Sequence, residues 1–333
     1  MQALRPLILP LCVLLLIAAV LCRLGVGGPA QASAPPPGTM PFFKSPIIEL
    51  RAQRAIAGAV VGAAAALSGV MLQCLFRNPL ASPDLLGMAS GAGLGVMVSA
   101  FVGYQTSGVI TEVGLAATGP PALVGALGAL ALTYAFSQRR GIIDPPSLLL
   151  VGVIVGVLSA SLTQFVQYLL PDRGVSAGRW LLGAINDDVT WTQSTSLGLV
   201  VIAAAIITAR LAPAMDAASL TDDEARSLGI HLSAVRAWLF VGSGMLAAAS
   251  VVLAGPIAFV GLLCPHLVRI VAGPTHRTLI PAAAIVGGAL VVGADTLVKI
   301  VELPAGRLPI SVLTSLLGGP LLIVLLRRRE TLV

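Results

Sequence analysis

Ten apolar runs follow one another along this chain, and most are long enough to cross a bilayer without a break. They are Leu7–Leu21, Ala52–Cys74, Leu85–Tyr104, Leu115–Phe136, Leu148–Leu170, Ser194–Leu211, Ala237–Leu253, Ile257–Val271, Ile280–Val298 and Ile310–Leu326. A helix needs about 20 apolar residues to span the hydrocarbon core. Lipid offers backbone groups no partner, so a spanning segment must satisfy its own hydrogen bonds. The eighth run is short and contains Pro265. Composition agrees: only 10% of the 333 residues are charged and 57% are hydrophobic, against about 25% charged in an ordinary soluble domain. These values exclude a cytosolic enzyme, a secreted module and a disordered chain. Continuous rather than alternating apolarity also excludes an outer-membrane barrel. The expected fold is an all-α polytopic membrane helix bundle of about ten transmembrane helices, forming one domain over residues 1–333.

Ten spans put both termini on one side. With both ends cytoplasmic, the inner loops hold twelve basic residues, among them Arg77, Arg139, Arg140, Arg236 and Arg327–Arg329, and the outer side holds eight. The positive-inside rule favours that orientation. The first run is followed by Ala30, Ala32 and Ala34, an arrangement compatible with signal cleavage. An uncleaved first span is the preferred reading. Residues 25–46, rich in Pro, Gly and Ser, read as an irregular external loop. Gly58/Gly62, Gly87/Gly91, Gly91/Gly95 and Gly152/Gly156 repeat the four-residue spacing that brings helix backbones together.

The sequence carries no phosphate-binding loop: its two lysines, Lys44 and Lys299, follow no suitable glycine pair. It has no zincin or serine-hydrolase motif. The four cysteines form no C-x-x-C pair, and Cys264 and His266 lack further ligands nearby, so neither a metal nor a cofactor is expected. Basic residues are scattered, which argues against nucleic-acid binding. Asp295 near the outer end of the ninth run has Lys299 four residues on, a spacing suited to a same-face ion pair. No second acidic residue is read as lying deep in an apolar run. That weakens an ion-gradient-driven secondary transporter, the alternative reading.

One inner connection stands apart. Residues 213–232 are polar, with Asp222, Asp223 and Glu224 together. Thr221 followed by Glu224 is a capping-box signature. Leu220, Ala225 and Leu228 then make a short amphipathic helix ended by Gly229. A capped helix beneath a bundle with no ATPase of its own is what docking to a separate motor requires. Packing under the bundle is the equally open alternative.

Four blocks resemble a known family. They are Arg51–Gln73 with Arg77-Asn78-Pro79-Leu80-Ala81 through Ala92; Leu220–Gly229; Gly255–Arg269; and Ala294–Lys299 with Leu317–Pro320. In this order they resemble the permeases of bacterial ABC importers for ferric siderophores, haem and cobalamin, over nearly the whole chain.

The resemblance implies a type II ABC importer permease in the inner membrane, paired with a second permease copy. Two ATP-binding-cassette ATPase subunits would sit beneath and a periplasmic substrate-binding protein above. An iron chelate is the expected cargo, siderophore first and haem next. Residues 213–232 become the coupling segment, with Leu220, Thr221, Asp222, Asp223, Glu224, Ala225, Arg226, Leu228 and Gly229 meeting the ATPase. Arg51, Arg54, Lys299 and Arg307 become candidates for docking acidic residues of the binding protein. The fifth and tenth spans would line the pathway, where Ser159, Thr163, Gln164 and Gln167 offer small polar groups. Two departures stand out. The family's Arg-x-Pro-Arg reads Arg51-Ala-Gln-Arg54, and its Glu-Leu-Pro-x-Gly before the last span aligns with Arg307-Leu-Pro-Ile-Ser311, which puts Arg307 in place of the acidic residue; the alternative alignment takes Glu302-Leu-Pro-Ala-Gly306 itself, at the cost of a longer interval to Gly318.

Overall fold

The computed structural model describes residues 5–25, 46–108, 115–139, 142–171, 178, 180–185, 188–303 and 306–330. Among these, twelve α-helices carry the fold. They are α1 (Arg5–Gly25), α2 (Pro46–Leu75), α3 (Met88–Ser107), α4 (Leu115–Phe136), α5 (Pro145–Leu169), α6 (Trp191–Arg210), α7 (Ala212–Ala218), α8 (Asp222–Ser227), α9 (Leu232–Ala254), α10 (Val260–Ala272), α11 (His276–Ile300) and α12 (Ile310–Glu330). A 3₁₀ turn, Pro83–Leu86, precedes α3. Two antiparallel ladders of two residues each pair Gln138–Arg139 with Ile142–Ile143 and Glu302–Leu303 with Gly306–Arg307. Residues 26–45, read above as an external loop, lie outside the described residues.

Each of the ten apolar runs corresponds to a helix, the third and the eighth each beginning three residues before their helices do. Seven are long and apolar enough to cross a membrane: α1, α2, α4, α5, α6, α9 and α11. The other three depart for local reasons. Helix α3 is diluted by glycine, alanine and serine, α10 has only 13 residues, and the apolar part of α12 is short.

Helix α2 runs through the middle, packed by α9, α10 and α11. From Ala55 onward it is apolar on nearly every side, which suits a segment packed by neighbours all round. Glycine sets its spacing. A Cβ on Gly62 would come 2.1 Å from the Gly287 carbonyl oxygen of α11, and one on Gly69 would come 1.7 Å from that of Gly261 of α10. Neither clash is survivable, so these contacts need glycine. The four-residue glycine spacing thus marks helix packing. Small polar groups tie the same layer: Ser68 Oγ donates to the Ser243 carbonyl at 2.8 Å, and Ser250 Oγ to that of Val61 at 3.3 Å.

Helix α10 is short because the chain before it is not helical. Residues 255–259 run irregularly from Gly255 (φ +66°) to Phe259 (φ +68°). Ile310 N–H, at the start of α12, donates to the Gly183 carbonyl at 3.1 Å, and Ser311 Oγ accepts from Ala258 N–H at 3.4 Å. Irregular backbone at membrane depth is tolerated only where protein or a watery cavity surrounds it.

Candidate coupling and docking site

Helix α6 ends at Arg210, and the inner segment folds into α7 and α8 rather than a free loop. Ala212, Met215 and Ala218 turn into the core and fix α7 under the bundle. Asp216 Oδ1 accepts from the backbone N–H of His276 at 3.0 Å and pairs with its ring Nδ1, so α7 is tied to the start of α11. Cys74, one residue from the end of α2, lies 3.5 Å from the Met215 carbonyl.

Helix α8 begins as its sequence signature requires. Glu224 N–H donates to Thr221 Oγ1 at 3.4 Å, and Thr221 N–H donates back to Glu224 Oε2 at 2.9 Å. Gly229 beyond the helix has φ +77°, the left-handed conformation that glycine adopts without strain. The apolar residues of this helix divide. Ala225 alone is buried against the bundle, whereas Leu220 and Leu228 are 46% and 62% exposed. The two leucines flank α8 on its free side, with Glu224 and Arg226 also exposed.

Asp222 has another role. Arg77 Nη2 donates to its Oδ1 at 2.6 Å, and Arg236 Nη2 donates to both its oxygens at 2.8 Å. Arg77 also donates through Nε to the Ala218 carbonyl at 2.8 Å. It stands at φ +49°, a conformation uncommon for a side-chain-bearing residue. One guanidinium thus latches the end of α7 and the start of α8 to the end of α2, and a second latches α8 to α9. Sequence reasoning missed Arg77 and Arg236 as members of this site, since neither pairing follows from local spacing. Partial burial works to raise the Asp222 carboxyl, but the hydrogen bonds and charges of Arg77 and Arg236 outweigh it and hold the pKa below the ordinary value. Hydrogen bonds from Thr221 hold the Glu224 carboxyl low as well. The chain therefore offers two surfaces: a latched one, Asp222 and Ala225, and a free one, Leu220, Asp223 and Leu228.

The opposite end of the bundle holds a second aspartate between two arginines. Arg23 Nε donates to Asp295 Oδ2 at 2.7 Å, while Arg54 donates through Nη2 at 2.8 Å and Nε at 2.9 Å to Oδ1. Asp295 is 1% exposed. This corrects two expectations. Asp295 is not a carboxylate at an interface steadied by the next helical turn, because both oxygens are taken by arginines from α1 and α2. Arg54 is buried against it and presents no free guanidinium to an outer partner in this chain. Arg51 is half-buried within α2, and its Nη1 donates to the Leu24 carbonyl at 2.9 Å. Lys299 is half-buried near the end of α11. The Arg307 backbone pairs with Glu302 in a short ladder, and its side chain lies outside the described ones.

The polar residues of α5 divide. Ser159 and Thr163 are buried, and Thr163 Oγ1 donates to the Ser159 carbonyl at 2.7 Å, a bond internal to the helix. Gln164 is exposed and Gln167 half-buried. Around Gln164, Leu150, Ile154, Val157, Leu158 and Phe165 form an apolar face left exposed by the described residues of this chain.

A further acidic residue departs from the sequence reading. After α2 the chain turns back, and Pro83 packs against Gly261 and Ala65. Ala65 precedes the end of α2 by ten residues, a rise of about 15 Å. Asp84 therefore lies at membrane depth, not in an inner loop.

Known proteins resemble the chain over this whole arrangement. The cobalamin import system permease protein BtuC of Halobacterium salinarum is 34% identical over 281 residues, 84% of this chain and 73% of that protein. The molybdate import system permease protein MolB of Haemophilus influenzae is 31% identical over 326 residues, 94% of this chain and 93% of that one. A solved structure described as an inward-facing conformation of a metal-chelate type ABC transporter superposes with a TM-score of 0.81 at 29% identity, covering 97% of this chain and 99% of that chain. Residues 8–328 match the model of the FecCD transport family, to which this chain belongs as a multi-span ABC importer permease.

Proposed function

We propose that this permease moves a metal chelate across the inner membrane by alternating access, driven by a separate pair of ATP-binding-cassette subunits. A second permease copy completes the pathway, and a substrate-binding protein delivers cargo from outside. Both termini face the cytoplasm. The observation that carries the reading is the inner segment: a capped helix latched to α2 and α9 on one side, with Leu220 and Leu228 exposed on the other. Burying two leucines in a partner cleft contributes about 1.5–3 kcal/mol each. Closure of the motor would then pull through Arg77 on α2 and through Arg236 on α9, the rigid-body route by which small displacements become domain rearrangements.

Among chelates, a ferric siderophore is placed first and haem next; the cobalamin name of one relative adds cobalamin as a third. Arg51 and Lys299 remain the docking candidates at the outer mouth, with Arg307, while Arg54 acts by holding Asp295. The exposed face of α5, with Gln164 on it, and α12 would line the path between the copies.

ATP-dependent uptake in proteoliposomes tests this. The vesicles would hold this chain, its ATPase and its binding protein, and be offered radio-iron siderophore, haem and cobalamin. Uptake of one chelate that requires ATP and is lost in Leu220→Ala/Leu228→Ala supports the reading. Uptake without the ATPase, driven by an ion gradient, overturns it.

A further inference from the structure

Among the described residues, two that are not glycine stand at positive φ, Arg77 and Phe259. Arg77 serves the latch on Asp222. Phe259, at φ +68° and ψ −19°, opens α10. A bulky residue in that region is an outlier. Such strain persists only where the surroundings impose it, and it gathers at functional sites. Here the surroundings include α12. A Cβ on Gly318 would come 2.9 Å from the Cβ, Cγ and Cδ1 of Phe259, and one on Gly319 would come 3.9 Å from its Cζ. The side chain therefore lies along a two-glycine notch of α12, and Gly318 can be nothing larger while Phe259 keeps its place.

That contact divides α12 into two unlike halves. Before it, Ile310, Thr314 and Gly318 recur every four residues as a buried stripe, and α12 packs on α10 and α11. The bonds from Ile310 N–H to Gly183 and from Ala258 N–H to Ser311 hold the same half. After it, Leu321, Ile323 and Val324 are exposed. The boundary is also the weakest point of the helix. Pro320 has no N–H to offer the Leu316 carbonyl, and two glycines precede it; helices kink at such places. Pro320 follows Ile310 by ten residues, a rise of about 15 Å, which is half of a hydrocarbon core about 30 Å thick.

We infer that Phe259 is a positioning residue for transport: it wedges the outer half of α12 against α10, so that the inner half bends at Gly318–Pro320 as the pathway opens and closes. The inference rests on the importer reading above and names where its pathway helix moves. Phe259 is built into the start of α10, since its carbonyl accepts from Leu262 N–H at 3.2 Å and Leu263 N–H at 2.8 Å. A displacement of α10 thus reaches the notch directly. Helix α10 in turn lies against α2 at Gly69 and Gly261, with no room for a side chain between them. Arg77, just beyond the end of α2, holds Asp222 of α8. A pull on the inner segment therefore has a route of packed helices to the bend, the kind of contiguous path that can carry coupling between distant sites.

The test uses the complete transporter in proteoliposomes, offered cyanocobalamin, haem and a ferric trihydroxamate, with uptake read beside the ATPase rate. It compares wild type, Phe259→Gly, Phe259→Leu and Pro320→Ala. Hydrogen exchange along α12 is followed with and without ATP trapped by vanadate. Phe259→Gly relieves the positive φ but empties the notch, and is expected to lower uptake per ATP about tenfold, within the range for substitutions along a coupling path. Phe259→Leu keeps the Cβ, Cγ and one Cδ that meet Gly318, and should stay within about threefold of wild type. Pro320→Ala returns the missing helical bond; the unfolding midpoint should hold or rise while uptake per ATP falls severalfold, opposite signs that a merely structural role does not produce. In wild type, trapped ATP should change exchange after Pro320 and leave residues 310–318 as they were. In Phe259→Gly the change should spread to residues 310–318. A folded Phe259→Gly with wild-type uptake per ATP overturns the inference and leaves the importer reading standing. An equal exchange response in both halves of wild-type α12 overturns it as well. If Phe259→Gly does not fold, Pro320→Ala decides: wild-type uptake per ATP overturns the inference, and a severalfold fall at an unchanged midpoint supports it. Absence of any ATP-dependent uptake by wild type is a different result: it removes the importer reading and this inference with it.

Discussion

The two ends of the bundle solve one chemical problem in two ways. At each end a single aspartate is shared by two arginines drawn from different helices. At the end proposed above as outer, Asp295 joins α1, α2 and α11 with side-chain exposures of 1–8%. At the end proposed as inner, Asp222 joins α2, α8 and α9 with exposures of 14–35%. Burial decides what the shared motif does. A buried cluster that loses its carboxylate leaves uncompensated charge, so the outer clamp fixes helices in one arrangement. A half-exposed cluster can exchange its bonds for water at small cost, so the inner clamp can guide a segment that moves.

The largest expected effect breaks the outer clamp. Asp295→Ala leaves two buried guanidinium groups without their anion and should destabilise the protein by about 3–5 kcal/mol. Thermal unfolding in detergent would show this as a large fall in midpoint. Replacing all three members with apolar residues of similar size should recover most of the loss, because no buried charge then remains. If Asp295→Ala unfolds like wild type, the outer cluster is not a clamp and the comparison fails.

Arg23→Ala comes next. Arg54 still holds Asp295, so the loss is that of one charged hydrogen bond, about 1.5–3 kcal/mol. The outcome also bears on α1. Ile8, Cys12 and Arg23 are buried against the rest of the bundle, so removal of α1 by cleavage near Ala30–Ala34 would carry off half the clamp. A midpoint insensitive to Arg23 would free α1 of any structural duty.

These clamps show what the sequence does and does not disclose. The helices were legible because apolar run length is a property of consecutive residues, and the Thr221–Glu224 box because its two members lie three apart. The partners of Asp295 were not. Arg23 and Arg54 are 272 and 241 residues away, while the local spacing rule pointed at Lys299. The same holds for Asp222, whose partners lie 145 and 14 residues off. Asp84 was misplaced for a related reason. Asn78, Pro79 and Ser82 read as an inner loop, and only the packing of Pro83 on Gly261 carries the chain back into the membrane. Leu220 and Leu228 were legible as an apolar stripe on α8, but helical periodicity does not say what covers such a stripe, so docking and packing both stayed open.

Asp222→Asn should separate stability from function. A pair this exposed contributes about 1 kcal/mol or less to folding, so the unfolding midpoint should barely move. Transport per ATP hydrolysed should fall severalfold, because the latch between α8 and α2 is weakened while Leu220 and Leu228 remain available to the motor. Proteoliposome uptake measured beside ATPase rate reads that ratio. Exchanging the charges as Asp222→Arg with Arg236→Asp should recover part of it. A large drop in stability with an unchanged ratio would make the inner cluster a second clamp of the outer kind.

Salt and acid sharpen the distinction with the smallest effects. At 1 M salt the Debye length is about 3 Å against about 8 Å at physiological strength, so the exposed inner contacts should weaken while the buried outer ones hold. Hydrogen exchange confined to residues 219–228, with α11 unchanged, is the expected pattern. Acid acts with a definite sign. The Asp222 carboxyl is held below its ordinary value in the folded chain, so the unfolded segment binds protons more readily and low pH favours release. The contribution is complete above the unfolded carboxylate value of about 3.9 and is lost as pH falls through the depressed folded value. Exchange at residues 219–228 should therefore be flat, once corrected for intrinsic rate, from neutral pH to about 5, and rise only below about 4. Loosening that sets in above pH 5 would point to a histidine instead, such as His276, whose ring pairs with Asp216 of α7 just before the segment. The latch would then run through α7 and α11 rather than through Arg77 and Arg236.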